Sequence, residues 1–361
     1  MPGAMFHFEP GLRVLGVAVP GAEICPCVPT RTMPVKTSEW NPYKEIDMSR
    51  DLKLRTCLRL SFGLHLVAAA MLVSPTCLAE DPPPSSTGSN TAPGVVGFRL
   101  DDIQNGWCEA QQQVVINLFL SKSPIVPLTI GIIGNRFEPA YGTGMTTFLT
   151  SSTVQSAINA GLIEVANHGY SHPDGGMTAA DGWTENTVET DLEKCAAIIQ
   201  FNGILDAAPV VFIAPENNYD ATTESGVASA GILTMSAQCD VNPGGNVAYC
   251  PGTGAEDIKA PNLKDPAGIN QVAAGAVVDS WTDFQADVDL DAAKAWAQRQ
   301  YDRQGFAVFM LHPQEFSEDN CRTIDVDQEK LNALGALLDG YRQSGARLET
   351  LSGIVKVVSG T

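Results

Sequence analysis

"VVGFRLDDIQNGWCEAQQQVVINLFLSKSPIVPLTIGII", residues 95–133, decides the fold. VVGFRL and IVPLTIGII are apolar, β-rich runs, and EAQQQVVINLFL between them reads as a helix. The same rhythm continues outward. Further strand-like runs are LIEVA, VVFIA, ILTMSA, AGAVVDSW, FAVFML and ARLETL. Helix-like stretches fall between most of them: MTTFLTSSTVQSAINA, TENTVETDLEKCAAIIQF, DAAKAWAQRQYDRQ and DQEKLNALGALLDGYRQ. Alternating strands and helices argue for a parallel sheet. Seven or eight such units in residues 95–361 imply an α/β fold of the distorted (β/α) barrel type, with no internal repeat and no second domain.

The chain before residue 95 reads differently. Residues 80–94, EDPPPSSTGSNTAPG, form a Pro/Ser linker that buries no apolar surface. Residues 48–79 have the order of a signal peptide: Arg50, Lys53, Arg55 and Arg59, then an apolar run from Leu60 to Val73, then small residues before Glu80. His65 interrupts that run, which is short for a membrane span. Two readings follow. Either Met48 is the true start and residues 1–47, rich in Pro and Gly, are a non-native or disordered extension, or residues 48–79 are an internal signal-anchor. The expected location is accordingly secreted or cell-wall associated, or membrane-anchored if the segment stays uncleaved.

The 361 residues carry 41 Asp+Glu against 22 Lys+Arg, a formal net charge of -19. Such a chain repels nucleic acid and anionic membranes, and a neutral or cationic partner fits better. Five of the nine cysteines follow the predicted cleavage: Cys108, Cys195, Cys239, Cys250 and Cys321. Export permits disulfides. Cys239 and Cys250 bracket the turn-rich DVNPGGNVAY and are a natural pair. Cys108 and Cys321 both follow chemistry-bearing strand ends and can meet at one barrel mouth, which leaves Cys195 free.

In barrels of this type chemistry sits at the C-terminal ends of the strands. Those ends carry RLDD (99–102), ANHGYSH (166–172), APENN (214–218), VDSW (278–281) and LHPQE (311–315). All three histidines of the domain, His168, His172 and His312, are there. Asp101 and Asp102 are adjacent, so on a regular strand they face opposite ways: one can ligate a metal while the other stays free as a base. Alone, such a pair is as readily a solvated turn or helix cap. The four-residue spacing of His168 and His172 brings two imidazoles to one side of a turn, as zinc or a similar divalent ion requires. Two histidines and one carboxylate leave metal positions open for water and substrate, the pattern of a hydrolytic site. His312 ends a strong strand and is either a core histidine or, beside a free carboxylate, the acid of an amide or ester hydrolysis.

The ensemble resembles the polysaccharide deacetylases of carbohydrate esterase family four, over residues 95 to about 355. RLDDI stands where that family has Thr-Phe-Asp-Asp-Gly, and NHGYSH where it has Asn-His-Thr-x-Ser-His. FIAPENN matches its Phe-Arg-x-Pro-Tyr region, and ARLETLSGIV its closing segment. The resemblance implies metal-dependent N-deacetylation, zinc or cobalt serving, of an N-acetylated polysaccharide or oligosaccharide, chitin-like above all. It implies Asp101 as base, Asp102, His168 and His172 as metal ligands, and His312 as acid. Pro215 and Asn217 fall in the third motif as supporting residues. Asp279 takes the place of a residue that fixes the protonation of His312, and Trp281 either stacks on a sugar ring or packs in a lid.

The departures concern the same motifs. Gly169 replaces Ser or Thr, and Ile103 replaces Gly. The third motif has Ile213 and Ala214 where the family's Arg pairs with the base, and Glu216 follows the proline. Arg99 lies two residues before Asp101, on the same strand face, and either substitutes for that Arg or forms a structural ion pair. Three functions compete: an active deacetylase, a non-catalytic glycan-binding relative, and a hydrolase of another amide or ester.

Overall fold

In the computed structural model, which describes residues 94–237, 240–241, 247–248, 261–265, 267–274 and 290–360, the first apolar run is strand β1 (Val95–Ile103). Its alternation sorts two layers. Val96, Phe98 and Leu100 pack outward with the helices, and Val95 packs into the sheet's inner face. Helix α1 (Glu109–Ser121) leads to β2 (Leu128–Ile132). The single helix expected over 145–160 is two, α2 (Gly144–Leu149) and α3 (Ser152–Asn159). The serines and threonines at 150–153 interrupt the apolar spacing there. Then come β3 (Ile163–Asn167), α4 (Glu185–Phe201), β4 (Val211–Ile213), α5 (Ala221–Ser229) and β5 (Thr234–Ser236).

The turn-rich stretch between Cys239 and Cys250 contains an antiparallel hairpin, β6 (Asp240–Val241) with β7 (Val247–Ala248). A two-residue strand, β8 (Asn270–Gln271), follows, then α6 (Leu290–Gln304), β9 (Phe306–Leu311), α7 (Gln328–Ser344), β10 (Arg347–Glu349) and α8 (Leu351–Ser359). Asp279, Trp281, Cys239 and Cys250 lie outside the described residues, as do the linker and the segment expected to direct export.

Every ladder of the main sheet is parallel, as the strand–helix rhythm requires. β9 pairs one edge of β1. On the other edge β10 pairs Val95–Gly97, and β2 takes over from Arg99. β3, β4, β5 and β8 follow in order, giving eight strands. The expected α/β barrel architecture is thus observed, with no ladder joining β8 to β9 among the described residues. Phe98 of β1 stacks on Phe309 of β9, ring centroids 5.2 Å apart, in the outer core. Inside, α8 closes the N-terminal end of the sheet with Leu351 and Ile354. Gly97 permits that approach, because a Cβ there would stand 2.7 Å from Ile354 Cδ1. The floor is therefore apolar, and the polar inward residues gather at the opposite, C-terminal end of the strands.

Candidate active site

β1 delivers the first three residues. Arg99 and Asp101 point inward together, and their side chains meet at 3.1 Å with 0% and 2% exposure. Arg99 also donates to Ser236 Oγ at 2.8 Å, to Asn217 Oδ1, and to Met310 Sδ at 3.0 Å. Burial pulls its pKa down while Asp101 pushes it back up. A guanidinium stays charged under such opposition, and the cost of burying it is offset only if its partners are well placed. Arg99 thus meets Asp101, the contact expected of the missing third-motif arginine, from a different strand.

Asp102 does not follow the alternation of β1. Its φ is 59°, and the register with β2 shifts between Leu100 and Ile103. This left-handed residue breaks the pleat, so both neighbouring carboxylates reach the same mouth. The expectation of opposite faces holds only for a regular strand, and the bulge corrects it. Asp102 Oδ1 lies 3.3 Å from His168 Nε2 and 3.2 Å from His172 Nε2. Burial works against a charge on Asp102, yet the two imidazoles hold its carboxyl well below the usual range, so it is an anion.

His168 follows β3 directly. Its Nδ1 donates to the backbone carbonyl of Ile213 at 2.9 Å, which leaves Nε2 as the ring nitrogen on the side of Asp102. His172 has φ 44°, and the chain turns between the histidines at Gly169, φ 77°. A Cβ at Gly169 would press on the mobile end of Met177 and stand 3.3 Å from Asp191 Oδ1, but the φ of 77° is what chiefly favours glycine over Ser/Thr here. Asp191 on α4 fastens the turn: it accepts from Tyr170 N at 2.6 Å and from Ser171 Oγ at 2.7 Å. The sequence reading missed Asp191. Its signal was a carboxylate on the buried stripe Val188, Leu192, Cys195 and Ile199 of an amphipathic helix.

His312 follows β9, and its Nε2 lies 3.9 Å from Asp101 Oδ2. On the other side Nδ1 is 3.2 Å from Glu315 Oε1. Burial lowers the basicity of His312, but Glu315, Asp101 and Asp102 outweigh it and push its pKa up to about 9. Glu315 is the second residue the sequence reading missed. Its mark was the spacing His-Pro-x-Glu, which places a carboxylate over the first turn after a strand. Asp279, expected to hold His312, lies outside the described residues.

The third motif forms a 3₁₀ turn, Pro215–Asn217, in which Glu216 and Asn217 both have φ 53°. Consecutive left-handed non-glycine residues are costly and concentrate where a site demands them. Here the turn carries Asn217 onto Arg99, and buried Pro215 lies beside Gly169. A disulfide between Cys108 and Cys321 straps the loop after β1 to the loop after β9, as expected, and Cys195 is free and buried.

Asp102, His168 and His172 offer one oxygen and two nitrogens within 4.8 Å of one another. An anionic carboxylate and two ring lone pairs aimed at one point suit a divalent cation, so the donor set fits a metal. Asp101 and His312 stand beside it, outside the ligand set.

Residues 101–235 match the family described as Polysaccharide deacetylase. His312 lies beyond the match. No curated protein matches the sequence. Among solved structures, a peptidoglycan deacetylase from Bacillus subtilis aligns at 14% identity and TM-score 0.42, over 74% of this chain and 92% of its own. A CE4 esterase from Streptococcus mutans aligns at 11% identity and TM-score 0.42, over 72% of this chain and 87% of its own. A GH57 branching enzyme from Thermococcus kodakaraensis aligns at 11% identity and TM-score 0.49, over 74% of this chain and 72% of its own. The resemblance in the motifs and the family match coincide on the same strand ends, and over residues 101–235 this chain is similar to the polysaccharide deacetylase family.

Proposed function

We propose that this chain hydrolyses the N-acetyl groups of an N-acetylhexosamine glycan, chitin-like, in a reaction dependent on a divalent metal, zinc or cobalt. The supporting observation is the division of labour at the barrel mouth. Asp102, His168 and His172 converge within 4.8 Å, while Asp101 and His312 stand next to them with separate partners. A metal held by the three ligands would polarise the acetyl carbonyl and acidify water. Asp101, fixed by Arg99, takes a proton from the attacking water. The water oxygen bonds to the acetyl carbon, and the carbon–nitrogen bond breaks. His312 gives its Nε2 proton to the departing nitrogen, keeping the electron pair on the ring. The products are acetate and a free amine.

The absence of an arginine from the third motif favours a second reading, glycan binding without turnover. Against it stands the Arg99–Asp101 pair, since a binder has no need of an oriented carboxylate beside a complete ligand set. The test is acetate release from a panel of N-acetylated oligosaccharides, with chelator and with zinc or cobalt restored. Chelator-sensitive release supports the enzyme. Binding without release identifies the binder, and release only from other amides or esters moves the substrate class. The export reading rests on residues 48–79, and a secreted form should begin near Glu80. Among the described residues no helix is long and apolar enough to cross a membrane.

A further inference from the structure

Glu315 stands three residues after His312, in the 3₁₀ turn Pro313–Phe316. One carboxylate holds that histidine twice. Oε2 accepts from the His312 backbone N–H at 3.1 Å, and Oε1 faces Nδ1 of the same residue at 3.2 Å. Main chain and ring are fixed together, so Nε2 is left aimed at Asp101. The Glu315 side chain is 0% exposed, although carboxylates are seldom buried without need. A helix cap alone explains the bond to the backbone but not the one to the ring. Among the described residues, the charged groups facing His312 are Glu315 from its own turn, and Asp101 and Asp102 from β1.

We propose that Glu315 is the positioning residue of His312, orienting its ring and holding it as an imidazolium ready to donate from Nε2. The inference rests on His312 acting as the acid under the proposed function and assigns the residue that equips it. Burial alone favours the neutral ring and pushes Glu315 itself up to about 7, while the contact between the two lowers Glu315 and is the first of the influences that raise His312.

Glu315→Gln separates the two roles of the side chain, because its amide oxygen still accepts the backbone N–H while the charge is gone. Nitrogen-15 NMR of the zinc-loaded full chain follows the His312 ring directly. The wild-type ring should carry protons on both nitrogens at pH 7.5. In Glu315→Gln the ring should titrate about one pH unit or more lower. The alkaline limb of acetate release should move acidward with it, with a fall in kcat of about tenfold at pH 8 and little change in KM. Glu315→Asp should recover part of the shift. A neutral wild-type ring at pH 7.5 overturns the proposal without recourse to any variant, and so does an unchanged titration in Glu315→Gln. The NMR reading needs no substrate, so it stands or falls separately from the choice of glycan.

Discussion

Nδ1 of His168 donates to the carbonyl of Ile213 at 2.9 Å, and that bond from β3 to β4 decides which nitrogen the ring presents. With Nδ1 committed, Nε2 is the nitrogen left to offer a lone pair to a metal. The protein should therefore carry about one divalent metal per chain. His168→Ala or His172→Ala should remove the metal and the hydrolysis together. Metal analysis showing full occupancy in both variants sinks the ligand assignment.

Gly169 sits between the two histidines with φ 77°, a conformation that a side chain strains. Gly169→Ser restores the residue type of the family's second motif, yet here it should damage the site. The expected cost is about 1–2 kcal/mol of stability and roughly tenfold in metal affinity. Thermal melting and a competition titration with a chelator measure both. A Ser variant as stable and as tightly metallated as the parent would show that the turn relaxes freely.

How much of this was legible beforehand depended on whether a residue obeyed a period. Arg99 and Asp101 obey the two-residue period of β1, and their shared face followed from it. The histidines are rare, and their place after apolar runs marked the mouth. Asp102 could not be placed by the same rule, because a single left-handed residue cancels the alternation, and nothing in an Asp-Asp pair announces it. Asp191 and Glu315 are long-range or second-layer supports. Their value appears only when α4 is seen against the His168–His172 turn and Pro313–Phe316 against β9. β8, two residues long, leaves no periodic trace at all.

Cys108 and Cys321 are 213 residues apart in sequence and 5.1 Å apart at Cα. Their bond closes almost the whole domain into one loop and ties the segment after Asp102 to the segment after His312. Cys108→Ser with Cys321→Ser should lower unfolding stability by about 2–4 kcal/mol. Activity per folded molecule should fall less than stability, since the strands themselves hold Asp101 and His312. Equal denaturant midpoints for the parent and the double variant would show that the strap contributes nothing.

Arg99 carries the sharpest difference from the family pattern. Its guanidinium touches Asp101 at 3.1 Å and is itself gripped by Ser236, Asn217 and Met310 from three other segments. A base beside a metal is easily ionised. What it lacks is a neighbour that keeps its oxygen directed at water rather than at the cation, and a charged planar donor supplies this. Arg99→Met should therefore keep the fold and the metal but lower turnover by about 10²-fold, the scale of an impaired acid–base step. Arg99→Lys should recover only part, because an ammonium cannot reach Asp101, Ser236 and Asn217 from one plane. The structural alternative makes the opposite forecast: if the pair only stabilises the barrel, Arg99→Met lowers the melting temperature and leaves kcat per folded molecule unchanged. Measuring metal content, melting and kcat on the same three proteins separates the two. A normal kcat in Arg99→Met removes Arg99 from the reaction.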